Sequence, residues 1–175
     1  GDDEVEIVAL EPAAVPDVAP YPSRLVAFET DGSLAFVGPD TFESTVADAV
    51  ALADLDADGD AEIMVADRVF DHEGQLLFVA PDVGAMAEPL MPVAVDLDRD
   101  DDLEVLWGRA AYHHDGTPLF VGAGLRHGYV HVANFDADDD PEIVVTSAEG
   151  IAVLDADGTP RLVDVRPVGL PGGTE

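Results

Sequence analysis

Oxygen-bearing side chains recur at one spacing in three places of this chain. The first run is Asp54, Asp56, Asp58, Asp60 and Glu62; the second is Asp96, Asp98, Asp100, Asp102 and Glu104; the third is Asn134, Asp136, Asp138, Asp140 and Glu142. Each run is followed at once by Ile63, Val105 or Ile143. Oxygens at positions 1, 3 and 5 of a tight loop can wrap a hard cation. A backbone carbonyl near position 7 and the carboxylate at position 9 can close the shell. Ca²⁺ takes roughly six to eight oxygens in flexible geometry and suits such a loop; Mg²⁺ demands a stricter octahedron and ranks second. The competing reading is a solvated acidic turn. Two carboxylates about 4 Å apart in water repel by roughly 1 kcal/mol, so several converging in one loop call for a counterion. Three aligned copies make chance a poor explanation. An EF-hand is excluded, because its loop needs Glu at position 12 followed by helix. Position 12 here is Val65, Trp107 or Val145.

The loops sit in an internal repeat. "VALADLDADGDAEIMVAD" returns as "VAVDLDRDDDLEVLWGR" and as "VANFDADDDPEIVVTSA". Between them run "LVAFETDGSLAFVG", "RVFDHEGQLLFVA", "AAYHHDGTPLFVG" and "IAVLDADGTPRLVD", whose turn glycines Gly32, Gly74, Gly116 and Gly158 are each 42 residues apart. A period of this size suits a propeller blade of four short strands. The segments are short, rich in Val, Ile, Leu and Phe, and bounded by Asp/Gly turns, whereas no capped helical periodicity is present. The fold expected is all-β, built of four-stranded antiparallel blades. The repeat divides the chain into a partial blade at 1–43 with a Pro-rich insertion at 11–23, blades at 44–82, 83–124 and 125–164, and a tail at 165–175. The insertion, with Pro12, Pro16, Pro20 and Pro22, is expected as a surface excursion rather than strand. "GDDEVEIVAL" aligns with "RDDDLEVLWG". The chain is therefore expected to start inside an acidic loop, as an arc of a larger propeller would, and the remnant Asp2 and Glu6 should not bind metal alone.

Loops and period together resemble FG-GAP repeats, also called VCBS-type repeats, of integrin-like β-propellers. The resemblance spans residues 1 to about 164. It implies a propeller with Ca²⁺ between the first two strands of a blade, in secreted or surface-exposed proteins that often act in adhesion. Carried over by position, it implies ligands at Asp54, Asp56, Asp58 and Glu62, at Asp96, Asp98, Asp100 and Glu104, and at Asn134, Asp136, Asp138 and Glu142. The chain departs from the family pattern in having Glu rather than Asp at position 9. Only Gly59 supplies the usual glycine at position 6, where Asp101 and Asp139 stand instead. The Phe-Gly and Gly-Ala-Pro signatures are faint, in "FVGPD" and "FVGAG". Position 6 is expected to need an unusual φ, which Gly adopts freely and Asp tolerates. The first loop should therefore bind best, and the third more weakly because Asn134 lacks a charge.

Composition narrows the function. The chain carries 38 acidic residues against 7 basic ones, all Arg, for a net charge of −31. Such a surface repels nucleic acid and anionic membranes. No apolar run reaches membrane-spanning length, and cysteine is absent, so no disulfide framework or thiolate chemistry enters. His72 and His114 share a hairpin position, and a transition-metal site between two such turns is conceivable, although polar turn residues are the plainer reading. Trp107, Tyr112 and Tyr129 could form a sugar-stacking platform, although core or rim packing fits so few aromatics better. No nucleophile elbow, phosphate-cradling loop or catalytic triad context is present. The expectation is a non-catalytic, extracellular interaction or adhesion module holding about three structural Ca²⁺ ions. Its location would be extracellular, on the cell surface or periplasmic. Its partner would be a protein, a glycan, further blades of a parent chain or a copy of itself, with no nucleic acid and no membrane insertion. The alternatives are an accessory part of a Ca²⁺-dependent polysaccharide-active enzyme, or a propeller lectin. Extracellular Ca²⁺ modules bind with Kd around 10⁻⁴ to 10⁻³ M, so at about 2 mM Ca²⁺ each tight site would add roughly 1.8 kcal/mol.

Overall fold

Alternating apolar residues between turn signals pair with their sequence neighbours, and sixteen strands result among the described residues. The computed structural model describes residues 7–12, 21–44, 48–81, 83, 91–122 and 124–166. The remnant Asp2 and Glu6 lie outside the described residues. The strands form four antiparallel sheets of four, and no helix occurs among the described residues. The first sheet holds β1 (Ile7–Pro12), β2 (Tyr21–Phe28), β3 (Leu34–Val37) and β4 (Phe42–Ser44). The second is β5 (Val50–Ala53), β6 (Glu62–Val65), β7 (Arg68–Phe70) and β8 (Leu76–Val79), in that spatial order. The third repeats it with β9 (Val93–Val95), β10 (Glu104–Trp107), β11 (Ala110–Tyr112) and β12 (Pro118–Val121). The fourth does so with β13 (Tyr129–Ala133), β14 (Glu142–Thr146), β15 (Ile151–Leu154) and β16 (Pro160–Val165).

The first sheet corrects one expectation. Residues 11–12 and 21–23 of the Pro-rich stretch are strand, with Glu11 opposite Arg24 and Pro12 opposite Ser23. Pro12 ends an edge strand, where a missing N–H costs no ladder bond. An Arg24–Glu11 ion pair at 2.6 Å ties the pairing across the strands. Residues 13–20 of that stretch lie outside the described residues. β4 pairs with the first half of β2 and β3 with the second, so Ser44 sits in the first sheet, its hydroxyl on that of Ser23 at 2.7 Å.

The hairpin turns repeat one design. Gly32, Gly74, Gly116 and Gly158 each donate to the carbonyl three residues back at 2.9 Å, with φ between +78° and +84°. The core lies between consecutive sheets. Leu25, Phe42, Ile63, Val65 and Phe70 join the first to the second. Leu55, Met64, Val69, Val105, Trp107 and Tyr112 join the second to the third. Leu106, Ala111, Val130, Ile143, Val145 and Leu154 join the third to the fourth. The second strand of a repeat thus faces one neighbour with Ile63 and the other with Met64, and β6 and β10 are buried along their whole length.

Candidate metal centre

Each acidic loop spans the first two strands of its sheet: β5 to β6, β9 to β10 and β13 to β14. Its ninth-position Glu is the first residue of the second strand. Pairing with the first strand turns that carboxylate inward, and Glu62, Glu104 and Glu142 are buried. Each accepts the backbone N–H of the loop's second residue: Leu55 at 2.8 Å, Leu97 at 2.7 Å and Phe135 at 2.6 Å. Burial raises the Glu62 carboxyl above its ordinary value; the Leu55 amide opposes this, and Asp56, Asp58 and Asp54 push the same way as burial. Burial likewise raises Glu104, against the Leu97 amide and His113.

The first loop winds on its own backbone. Asp54 accepts the amides of Asp58 and Gly59, and Asp58 accepts that of Asp60. Ala57 and Gly59 take positive φ, as do Arg99 and Asp101 in the second loop. Position 6 therefore has the left-handed conformation in both loops, and Asp101 tolerates it. This winding brings oxygens of Asp54, Asp56 and Asp58 within 4.8 Å of one another, and likewise those of Asp96, Asp98 and Asp100. Asp98 and Glu104 form a second such group with His113, whose Nδ1 lies 3.1 Å from Glu104 Oε1. Both sets are rich in hard oxygen donors at cation-binding separation.

The third loop is built differently. Neither Ala137 nor Asp139 has positive φ. Asn134 donates from Nδ2 to the Asp138 carbonyl at 2.6 Å, an interaction an aspartate could not make. Asp136, Asp138 and Glu142 gather within 4.8 Å. A guanidinium, however, is already against two of them: Arg161 Nη1 lies 2.6 Å from Asp136 Oδ2 and 3.2 Å from Glu142 Oε1, and its Nε bonds Asp155. The Asp138 amide and Arg161 hold Asp136 below its ordinary value. Arg99 of the second loop reaches Asp140 at 2.8 Å. The donors of all three loops could hold a cation; in the third, Arg161 already pairs with two of the three carboxylates. A cleft of about 450 Å³ runs beside it, walled by Leu97, Asp98, Asp140, Glu142 and Arg161 among others.

The seventh-position acids turn elsewhere. Asp60 faces His72 at 3.8 Å, Asp102 faces His114 at 3.2 Å, and Asp140 faces Arg99. His72 and His114 thus each serve their own loop. Trp107 and Tyr112 are buried and meet edge to face at 5.9 Å, so they are core and offer no sugar platform; Tyr129 is exposed. Inspection of the loops alone misses His113, Asp155 and Arg161. The 42-residue period contains the signal. Asp71, His113 and Asp155 are equivalent positions, as are Leu77, Leu119 and Arg161, and the arginine is the odd member.

Fold and site define an all-β repeat chain whose acidic loops could hold metal ions. No protein-family model and no curated protein matches the chain. Among solved structures it is similar to the crystal structure of the V. cholerae biofilm matrix protein Bap1, with a TM-score of 0.69 and 28% identity over 100% of this chain. The match spans 28% of the Bap1 chain's length. No helix among the described residues is long and apolar enough to cross a membrane.

Proposed function

We propose that this chain is a calcium-stabilised, non-catalytic arc of an FG-GAP-like propeller, acting outside the cytoplasm as an adhesion or matrix module. The observation that carries this reading is the repeated three-carboxylate cluster beside a buried glutamate, in loops wound to converge. Calcium is assigned to the first and second loops, with Arg161 replacing it in the third. The similarity to a biofilm matrix protein supports an extracellular setting. Extracellular calcium would also fill weak sites that a low-calcium cytosol leaves as repelling carboxylates.

Thermal melts in Ca²⁺, in Mg²⁺ and in excess chelator test it. Two sites at about 2 mM Ca²⁺ would contribute about 3–4 kcal/mol, which raises Tm by roughly 10 °C in a domain of this size. A Tm that ignores chelation would overturn the metal assignment.

A further inference from the structure

The residue that enters the glycine hairpin is Asp71 in the second sheet, His113 in the third and Asp155 in the fourth, each 42 positions after the last. Asp71 turns to its own hairpin and accepts the amides of Glu73 and Gln75. Asp155 pairs with Arg161. In the third sheet the residue is an imidazole, and it turns to the acidic loop. His113 Nδ1 lies 3.1 Å from Glu104 Oε1 and 3.9 Å from Asp98 Oδ2. Among the described residues, His113 alone of the histidines joins two carboxylates in a group of donors within 4.8 Å of one another. His72 pairs with Asp60 and His114 with Asp102, and neither belongs to such a group.

The three donors are held by different means. Glu104 opens β10, and its side chain is fully buried. Its Oε2 accepts the Leu97 amide at 2.7 Å, which fixes the carboxylate and leaves Oε1 facing the imidazole. Such outer hydrogen bonds orient the ligands of metal sites. His113 is bound to its hairpin through its own backbone, its N–H donating to the Thr117 carbonyl. Two donors about 2.1 Å from one ion, at angles of roughly 90–110°, lie about 3.0–3.4 Å apart. The Glu104–His113 separation falls in that range. Asp98, at the surface, needs only a small rotation to match.

We propose that Asp98, Glu104 and His113 form a site for a divalent transition metal of the Zn²⁺ class. Calcium prefers oxygen donors alone, whereas imidazole nitrogen suits Zn²⁺ and its neighbours in the first transition row. The ion takes the place of the proton between His113 Nδ1 and Glu104, since a ligating nitrogen must be unprotonated. Three protein donors leave a fourth position for water or a donor from another molecule. The second loop thereby differs from the first, whose cluster of Asp54, Asp56 and Asp58 contains oxygen donors only. The site shares Asp98 with the calcium cluster of its loop but needs neither Asp96 nor Asp100, so it stands if the calcium assignment fails.

Zn²⁺ titration of the whole calcium-free chain, followed by calorimetry and by NMR of the histidine rings, tests it. The Nδ1 resonance of His113 should move on binding, and those of His72 and His114 should stay in place. His113→Gln should weaken Zn²⁺ binding at least about tenfold. The ring resonances are read in the unaltered chain, so they decide the matter even if the variant folds poorly. The calcium melt of the same chain separately tests the all-oxygen clusters. No Zn²⁺ binding below about 100 μM, binding that His113→Gln leaves unchanged, or a His113 ring that does not respond while another histidine does, overturns the proposal.

Discussion

Arg161 and the buried glutamates decide how each loop behaves. In the first loop, Asp58 shares its cluster with Asp54 and Asp56, and among the described residues no arginine pairs with these three. In the third, Arg161 bridges Asp136 and Glu142. Asp58→Ala should therefore remove about half of the calcium-induced Tm shift, and Asp138→Ala almost none of it; equal losses in a chelator-versus-Ca²⁺ melt would contradict the assignment. Arg161→Met should lower Tm only slightly in chelator, because the side chain is exposed and its ion pairs are screened by solvent. Added calcium should then recover the loss and make the third loop calcium-responsive. The pH dependence follows from Glu62 and Glu104, whose folded values lie above 4.5. A group raised on folding stabilises fully below its unfolded value and loses that contribution as pH rises through the folded one. Asp115, Asp136 and Asp157 are held below 3.8, so their contribution is lost only on further acidification. In chelator, Tm should accordingly fall as pH rises from 4.5 toward neutrality, and Glu104→Gln should flatten that slope.

The element that joins repeats is the glycine hairpin. Gly116 needs its φ of +82°, and it also needs to lack a Cβ, because Phe78 lies across it. Gly32 has the same φ requirement and no neighbour. Gly116→Asn should therefore destabilise by about 1–3 kcal/mol through overpacking, while Gly32→Asn stays within about 0.5 kcal/mol; urea melts would compare them. These turns also show what was legible in the sequence. The 42-residue spacing of the glycines and the alternating apolar runs were enough to place the four-stranded sheets, because pairing between neighbours is local. The ligand spacing was likewise enough to locate the clusters around Asp56 and Asp98. The strand character of Glu11, Pro12 and Pro22 was hidden, because it depends on pairing with Arg24, Ser23 and Glu43 rather than on local propensity. Arg161 lies 19 positions beyond Glu142, and only the third dimension brings it into the loop.

At the scale of the whole molecule, stability in a stack of sheets is a sum of sheet terms and nearest-neighbour joints. Among the described residues, the second and third sheets have a joint on each face, and the first and fourth have one. β10 and β14 make the comparison clean. Both follow an acidic loop, both begin with a buried Glu that accepts the same loop amide, and both sit second in their sheet. They differ in cover: β10 is buried on both faces, whereas Val144 and Thr146 of β14 are only half-buried. Local opening of the fourth sheet breaks one joint, and opening of the third breaks two. Amides of β14 should therefore exchange with solvent roughly ten- to a hundredfold faster than those of β10 in dilute protein, the gap a joint of about 1–3 kcal/mol would produce. Equal exchange of β10 and β14 in dilute protein would mean that the sheets unfold as one unit, and the joint-by-joint account of stability would then be wrong.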